Sequence, residues 1–416
     1  MKLNVLQNQL SKLNANASAR VPDLVCLSHL RWDFVYQRPQ HLMSRFAVER
    51  RVFFIEEPIF EDGAVRLDVS RRDCGVWVVV PRLPRELQGA GERLEALQRE
   101  LLDELFAEQN VREHVLWYYT PMALGWARHL QPLAIIYDCM DELSAFKGAP
   151  RALAERESEL FARADIVFTG GQSLYEAKSK LHSNIYAFPS SIDAVHFAQA
   201  RDMSSVPEDQ MSVPHPRLGF CGVIDERMDM ELLAEIADAR PDWHLVMIGP
   251  IVKIDPADLP RRENIHYLGG KSYSELPAYL SGWDVALLPF ALNESTKYIS
   301  PTKTPEYLAA GRPVVSTSIR DVVRPYGEMG LVRIADTPAE FVAAIEKALN
   351  EDREALTREA DAFLSQTSWD RTWGRMRELI DDVVGARRAS FVAADSSTLV
   401  TPAAHAVSAS SFTTSD

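Results

Sequence analysis

The sequence has 416 residues, which allows two or three domains and a substantial hydrophobic core. Hydrophobic residues make up 46% and charged residues 25%, and no apolar run approaches the roughly 18–20 residues of a membrane-spanning helix. The formal charge of −14 argues against non-specific nucleic-acid binding, which depends on a basic surface.

The acidic charge is concentrated in the second half of the chain. Residues 1–200 contain 23 basic and 26 acidic residues, whereas residues 201–416 contain 22 and 33. The four cysteines have no Cys-x-x-Cys spacing, so neither a metal site nor a disulfide framework is expected. No apolar stretch precedes the signal-like Ala17-Ser18-Ala19, so we expect a cytoplasmic protein.

Short apolar runs alternate with helical patterns along most of the chain, which is typical of parallel sheets built from βαβ units. We therefore predict an α/β protein with two doubly wound, Rossmann-like domains that face a cleft. The predicted segments are a disordered tail (1–20), the first domain (21–198), a linker (199–216), the second domain (217–366), a final helix (367–385) and a second disordered tail (386–416). The final helix either crosses between the domains or covers one of them.

The strands are predicted from apolar runs of four to seven residues. They are 24–28, 52–56, 76–80, 115–119, 134–137, 166–169 and 185–188 in the first half, and 218–221, 243–248, 265–268, 285–289, 313–316 and 331–334 in the second. A helix is predicted over 91–109, with Leu94, Leu97, Leu101 and Leu105 on one face.

The segment 293–316, between two predicted strands of the second half, carries the clearest chemical signal. Ser300 and Pro301 suit an N-cap and the first position of a helix that stops at Gly311. The start of such a helix favours a phosphate, and Lys303 adds a positive charge. Glu306 offers two acceptor oxygens for a ribose diol, so a nucleotide is indicated. Alternatively, these residues only cap the helix and form surface ion pairs.

The run Ser-Pro-Thr-Lys-Thr-Pro-Glu-Tyr-Leu-Ala-Ala-Gly-Arg-Pro-Val-Val, residues 300–315, resembles the donor-binding motif of glycosyltransferases with the GT-B architecture. The bacterial group that includes family 4 is especially similar. Segments 218–222, 244–250 and 265–289 resemble further parts of that donor domain in the same order. The resemblance implies that Glu306 contacts the ribose of a nucleotide sugar.

The sequence departs from the family where a first motif glutamate is expected, because that position is Tyr298. Either Asn293 or Glu294 holds the donor sugar from a longer loop, or the backbone of Ser300, Pro301 and Thr302 does so.

The glycine loop of the donor domain is expected at Gly222, but the basic residue that should follow it is displaced. Arg227 is the nearest cation. It either binds the donor diphosphate or forms an ion pair with Asp225, Glu226 or Asp229.

Ionisable and aromatic residues follow the first predicted strand, where it opens onto the cleft. The candidates for acceptor binding are His29, Arg31, Trp32, Asp33 and Arg38. A tryptophan beside charged groups suits a sugar ring, which has apolar faces and polar hydroxyls. Alternatively, the aromatic residues cover the sheet and the charged residues pair.

Carboxylates follow the strand 134–137, and Asp138 and Asp141 are the candidate catalytic residues. An inverting enzyme needs a base for the acceptor hydroxyl, whereas in a retaining enzyme the carboxylates would position hydroxyls. Either residue could instead cap the next helix. Further on, Ser173 and Glu176 match a capping box, which we favour over a phosphate site.

The resemblance implies transfer of a sugar from a nucleoside diphosphate sugar to a hydroxyl of a glycan or lipid-linked acceptor, in exopolysaccharide or cell-envelope synthesis. It implies no metal and no cofactor besides that co-substrate. Weak peripheral association with the inner face of the cytoplasmic membrane is compatible with it. A sugar-nucleotide 2-epimerase of the same fold and a non-catalytic nucleotide-sugar-binding protein are the alternatives.

Overall fold

The structure is a computed structural model that describes residues 21–203 and 206–398. Disordered tails were predicted at 1–20 and 386–416. Of these, residues 1–20 and 399–416 lie outside the described part of the chain. Two α/β domains with parallel sheets face a cleft, as predicted.

The first domain is built on a nine-stranded sheet. Its strands are β1 (Asp23–Ser28), β2 (Val52–Glu56), β3 (Ile59–Glu61), β4 (Arg66–Arg71), β5 (Trp77–Pro84), β6 (His114–Tyr118), β7 (Ala134–Cys139), β8 (Ile166–Thr169) and β9 (Ile185–Ala187). Eight strands form a parallel path in the order β3-β5-β2-β1-β6-β7-β8-β9, and β4 pairs antiparallel with β5. The sequence predicted seven of these strands and missed β3 and β4.

The second domain has a six-stranded parallel sheet in the order β12-β11-β10-β13-β14-β15. Its strands are β10 (Arg217–Cys221), β11 (His244–Ile248), β12 (Ile265–Gly269), β13 (Val285–Leu288), β14 (Val314–Ser316) and β15 (Val332–Ile334). All six were predicted, and their ends differ by no more than one residue.

Helices flank both sheets. They are α1 (Arg38–Phe46), α2 (Glu92–Glu108), α3 (Leu124–Ala127), α4 (Leu153–Arg163), α5 (Gln172–Lys178), α6 (Ala194–Ala198), α7 (Glu208–Met211), α8 (Met230–Ala239), α9 (Leu276–Ser281), α10 (Lys303–Ala309), α11 (Arg320–Val322), α12 (Pro338–Leu349), α13 (Arg353–Leu364) and α14 (Trp369–Thr398). Within the described residues, no helix is both long and apolar enough to cross a bilayer.

The first sheet is buried on both faces, which explains why its central strands are continuously apolar. Leu24 and Cys26 of β1 face a core completed by α1 and α14, whereas Val25 and Leu27 face the core under α2 and α4. The period of two along a strand produces this division.

The predicted linker is not a free connection, which corrects the boundary at 199–216. Ala200 and Val213 are buried in the core of the second domain. The Gln210 side chain is fully buried, donates to the Tyr279 carbonyl and accepts from Trp283 Nε1, both at 2.9 Å. The Ser- and Pro-rich composition therefore marks a packed segment of the second domain.

The final helix crosses back to the first domain, as one of the two alternatives predicted. Trp369, Met376 and Ile380 of α14 are buried in the core of the first domain. The helix continues to Thr398, so the prediction of disorder from residue 386 is wrong as far as 398. Arg387 and Arg388 anchor this extension through ion pairs with acidic residues of the first domain.

Candidate functional site

The cleft between the domains contains two adjoining cavities. The larger one, of about 550 Å³, lies between the first-domain loop 32–36 and the second-domain loops 221–223, 248–250 and 270–273. The smaller one, of about 160 Å³, is lined by residues 299–303 and by Asp141. Both open at the carboxyl ends of strands, where open α/β sheets bind ligands. The residues that line both are Val35, Tyr36, Gly222, Val223 and Lys303.

The glycine loop after β10 touches the loop after β11. A Cβ atom on Gly249 would overlap the carbonyl oxygen of Gly222, and Gly249 has a φ of +148°, which favours glycine. The backbones of the two loops can approach this closely only without side chains. The two glycine loops line the larger cavity without side chains that would fill it.

Helix α10 begins at Lys303, with Thr302 as the N-cap residue and no side-chain cap. The prediction that Ser300 caps the helix and Pro301 is its first residue is therefore wrong. Residues 299–302 instead form an irregular segment along the smaller cavity. The predicted stop is confirmed, because Gly311 follows the helix with a φ of +68°.

Lys303 and Glu306 form an ion pair one helical turn apart, with 2.6 Å between Nζ and Oε2. Their side chains are only 16% and 8% exposed. Burial raises the pKa of the Glu306 carboxyl, and the Lys303 ammonium counteracts this effect. Lys303 lines both cavities, whereas Glu306 lies behind it and lines neither.

Arg227 forms the predicted ion pair with Asp225, at 3.0 Å from Nε to Oδ1 and 2.7 Å from Nη2 to Oδ2. The same side chain also lines the smaller cavity. Its guanidinium lies 5.7 Å from the ring centre of Phe146, a first-domain residue that Lys253 also contacts at 5.0 Å. Arg227 can therefore keep its ion pair with Asp225 and still face a ligand in the smaller cavity.

Asn293 and Glu294 do not face either cavity, which contradicts their candidate role at the donor sugar. The Asn293 side chain accepts from the backbone N–H of Ser295 at 2.9 Å. The Glu294 side chain is 78% exposed and lies 3.6 Å from Lys297. Both side chains therefore make contacts within their own turn, Asn293 with Ser295 and Glu294 with Lys297.

Tyr298, at the position of the missing motif glutamate, packs against the core of the first domain. This contact brings the loop across the cleft and leaves Ser300, Pro301 and Thr302 along the smaller cavity. Of the two alternatives for contacts to the donor sugar, only the segment 300–302 lines the smaller cavity.

Asp138 is fully buried and forms a two-pronged ion pair with Arg38, at 2.9 Å from Nε and 2.8 Å from Nη2. Arg38 also donates to the Phe188 carbonyl at 2.8 Å. The pair ties α1 to β7, so Asp138 is not available as a base and the donors of Arg38 are already engaged. The predicted catalytic role of Asp138 is therefore corrected to a structural one, whereas Arg38 also lines the smaller cavity and its predicted role in acceptor binding stays a prediction.

Asp141 does face the smaller cavity, as predicted. Among the described residues its carboxylate has no hydrogen-bond partner. Burial raises the pKa of Asp141, and the cations Arg227 and Arg38 oppose this shift. An unpaired carboxylate with a raised pKa beside a cavity can accept a proton or a hydroxyl hydrogen bond.

Arg31 and Trp32 hold the loop after β1 in place. Arg31 donates to Glu56 at 2.9 Å and to the Pro58 carbonyl at 3.2 Å. Trp32 is 8% exposed, lies 5.1 Å from the Phe54 ring and donates its backbone N–H to Glu56 at 2.8 Å. Trp32 nevertheless lines the larger cavity.

Asp33 also lines the larger cavity and pairs with Arg72 on the neighbouring turn. His29 lies deeper, where burial lowers its pKa to about 4. Its Nδ1 atom is buried without a hydrogen-bond partner among the described residues. His29 lines neither cavity, so the structure does not bring it to the predicted acceptor site.

Helix α5 is capped from the other domain, which the sequence did not predict. Asp321 accepts from the backbone N–H groups of Gln172 at 2.8 Å and Ser173 at 2.9 Å. The predicted capping box of Ser173 and Glu176 is absent, since Gly171 is the N-cap residue and makes no side-chain bond. Asp321 therefore clamps the two domains together.

Aromatic residues form a second interdomain contact that sequence reasoning missed. The ring centre of Tyr273, in the second domain, lies 4.6 Å from that of Tyr36 and 5.5 Å from that of His41 in the first domain. Tyr273 also stacks on His196 at 4.3 Å, and within the first domain His41 stacks on Trp369 at 4.5 Å. Tyr273 follows β12 in a short turn that begins with a capping box of Ser272 and Glu275. That Ser-x-x-Glu pattern is the signal that could have located this wall of the larger cavity.

Among the described residues, no group of three or more His, Cys, Asp or Glu side chains is arranged to hold a metal ion. The cationic side chains that line the cavities are Lys303, Arg227, Arg38 and Lys271.

Residues 215–351 match the family model of the group 1 glycosyl transferases. TuaH of Bacillus subtilis (strain 168), assigned to teichuronic acid biosynthesis as a glycosyltransferase, is 27% identical over 296 residues, covering 64% of this chain and 72% of that protein. The family match includes the segment that carries Lys303 and Glu306.

Solved structures show the same two-domain fold. Sucrose-phosphate synthase from Thermosynechococcus elongatus superposes with a TM-score of 0.69 at 14% identity, over 88% of this chain and 100% of that one. Anabaena HepE in complex with UDP and glucose gives 0.60 at 13% identity, over 86% and 99%. The motif, the family match and the fold agree: the chain has the two-domain GT-B fold, and residues 215–351 of its second domain are similar to the group 1 glycosyl transferases.

Proposed function

We propose that the enzyme transfers a sugar from a nucleoside diphosphate sugar to a hydroxyl of an acceptor glycan. The observation that carries this proposal is the position of Lys303, paired with Glu306, at the junction of the two cavities. A cation there would meet a diphosphate whose nucleoside lies in the larger cavity and whose sugar lies in the smaller one.

The larger cavity suits a nucleoside. Its volume of about 550 Å³ falls within the range of small-molecule sites. Tyr273 offers a ring at one wall, and the glycine backbones at 222 and 249 permit close approach of a ligand. Structural neighbours were solved with UDP or ADP, which supports a nucleotide in this position.

The diphosphate would be held by three kinds of donor. Lys303 supplies a buried charge, and Arg227 supplies a second one from the far side of the smaller cavity. Val223 lines both cavities, and its backbone N–H makes no hydrogen bond among the described residues. Donors fixed in advance stabilise the charge that develops on the leaving diphosphate, and we expect transfer to proceed without a divalent metal.

Asp141 is the carboxylate we assign to the acceptor hydroxyl. In the transfer, the bond between the anomeric carbon and the diphosphate oxygen breaks, and a bond to the acceptor oxygen forms. The hydroxyl proton leaves to a carboxylate or to the departing phosphate. The raised pKa of Asp141 favours a role in binding that hydroxyl and taking up its proton.

The relative assigned to teichuronic acid biosynthesis supports a cell-envelope glycan, free or lipid-linked, as the acceptor. We propose that the enzyme acts in the cytoplasm at the inner face of the membrane, where such acceptors are extended. The nucleoside diphosphate sugar is its co-substrate, and no other cofactor is required.

Calorimetric titration of the full chain with UDP-, GDP- and ADP-sugars tests the donor proposal. One of these donors should bind. Lys303→Ala should weaken binding at least tenfold because it removes the cation at the junction, and Glu306→Ala should do the same because it removes the partner that holds the Lys303 ammonium. Glu294→Ala is the matched control, because this exposed carboxylate lies on the preceding loop and lines neither cavity. Absence of binding by all donors, or epimerisation of the donor without acceptor, would overturn the proposal.

A further inference from the structure

A third depression lies outside the cleft, on the first domain. This outer groove, of about 560 Å³, runs between the loop after β1 and the strands β4 and β5. Asp33 and Phe34 line both the outer groove and the larger cavity, so the two adjoin at these residues. Val35 and Tyr36 continue the same loop to the smaller cavity. One loop therefore connects the outer groove with the place assigned to the reaction.

The outer groove is densely polar but carries no net charge among its charged lining residues. Three arginines face three carboxylates, and all six lie within its walls: Arg31, Arg72, Arg82, Asp33, Glu56 and Asp68. Each arginine is paired inside the groove, Arg31 with Glu56 at 2.9 Å, Arg72 with Asp33 at 2.5 Å, and Arg82 with Asp68 at 2.7 Å.

These pairs determine which ligand the outer groove can bind. An anionic ligand would be repelled by the carboxylate beside each arginine, whereas a neutral ligand can use the remaining donors and acceptors of the pairs without that repulsion. The side chains of Arg72 and Arg82 are still 30% and 27% exposed, so their outward edges are accessible. Hydroxyl groups donate and accept equally and match such a surface.

Phe34 provides an apolar surface within this polar lining. Its side chain is 53% exposed, although it adjoins the buried Trp32 in sequence. An exposed ring beside planar charged groups suits the apolar face of a sugar ring. The opposite wall is formed by β4, the antiparallel strand whose polar side chains Asp68 and Ser70 face the groove.

We propose that the outer groove binds the body of the acceptor, and that this part is an uncharged oligosaccharide which stacks on Phe34. This inference rests on the proposed function, because it places the acceptor along the loop 32–36 while the nucleoside lies against the second domain. The acceptor would then enter over β4 and present its end to Asp141.

The test uses an array of oligosaccharides of two to six hexoses in several linkages, together with oligosaccharides of uronic acids of equal length. The full chain, saturated with the donor nucleotide, should retain neutral oligosaccharides at least tenfold more strongly than uronic ones. Ser70→Trp, which fills the groove from exposed β4, should reduce that binding at least tenfold. Asp73→Trp, on the exposed turn after β4 and outside the groove, is the matched control.

Phe34→Ala should weaken oligosaccharide binding and Phe34→Trp should restore it, which guards against a folding defect of Ser70→Trp. Failure to retain any neutral oligosaccharide, equal retention of both classes, or undiminished binding by Ser70→Trp would overturn the inference. Nucleotide-sugar titration of Ser70→Trp separates the two proposals. If Ser70→Trp binds the donor normally but no longer binds oligosaccharides, the result supports acceptor binding in the outer groove. If the wild type binds no donor at all, that result contradicts the proposed function alone.

Discussion

Asp321 of the second domain occupies the space where a Cβ atom on Gly171 of the first domain would lie. Gly171 has an extended backbone, with a φ of −162°, so the requirement for glycine is one of space and not of conformation. The missing side chain lets the carboxylate reach the two N–H groups at the start of α5. This clamp between the domains therefore depends on a single small residue.

We expect Gly171→Ala to open the cleft, because the new methyl group displaces Asp321 and also meets the Ser300 side chain. The radius of gyration from small-angle X-ray scattering should increase, and kcat/KM should fall at least tenfold. Gly374→Ala on α14 is the control, since a Cβ atom there meets nothing within 4 Å. An unchanged radius of gyration in Gly171→Ala would contradict the clamp.

Replacing Lys303 with methionine removes the buried charge at the junction of the cavities but keeps a side chain of similar length. We expect kcat/KM to fall by about 100-fold or more, the usual loss when a donor to developing negative charge is removed. Lys297→Met, on the exposed preceding loop, should retain wild-type kinetics. Steady-state rates with the donor identified by titration make the comparison, and equal rates for both variants would refute the role of Lys303.

Asp138 and Asp141 should respond in opposite ways to replacement by asparagine. Asp138→Asn leaves the buried Arg38 without its counter-charge, which costs about 3–5 kcal/mol of unfolding free energy. Asp141→Asn should leave stability almost unchanged and lower kcat, because it alters only the group that faces the cavity. Chemical denaturation combined with kinetics measures both effects. A stable Asp138→Asn variant that lost only kcat would reverse the assignment.

His41 should make the protein sensitive to mild acid. Burial lowers its pKa to about 2, with further lowering by Arg45 and Lys303, whereas an unfolded histidine titrates near 6.5. The unfolded state therefore binds the extra proton first, and stability falls as the pH drops below about 6.5. Each such histidine contributes up to about 1.4 kcal/mol per pH unit.

The measurement is the melting temperature of wild type and His41→Phe between pH 7 and pH 5. The phenylalanine can still stack on Trp369 but does not titrate, so its melting temperature should fall less steeply with acid. His129→Phe, which removes a partly exposed histidine on the surface, should keep the wild-type slope. Parallel slopes for wild type and His41→Phe would show that His41 does not carry the effect.

The sequence predicted the central parallel strands well because they are continuous apolar runs that are buried on both faces, but it missed the partly exposed β3 at the edge of the first sheet. It missed β4, whose residues Arg66, Asp68 and Ser70 are polar and partly exposed, since such a strand has the composition of a loop. It also misjudged 199–216, where a polar composition conceals the buried Gln210. Local composition does not indicate which polar groups find partners far along the chain.

The same limit applies to the site. The motif around Glu306 was recognisable because its residues lie close together in sequence. The pairing of Arg38 with Asp138 joins residues 100 positions apart, and the cap of α5 by Asp321 joins residues 149 positions apart. Those partners decide which carboxylates remain free to act, so only the fold could separate Asp138 from Asp141.

The return of α14 to the first domain makes that domain discontinuous in sequence. Residues 21–191 alone would expose the apolar face that Trp369, Met376 and Ile380 cover. We therefore do not expect the two halves to behave as exchangeable modules, in contrast to domains joined by a single flexible linker. During synthesis, the first domain stays incomplete until the second has been made, so the two halves of the cleft mature together.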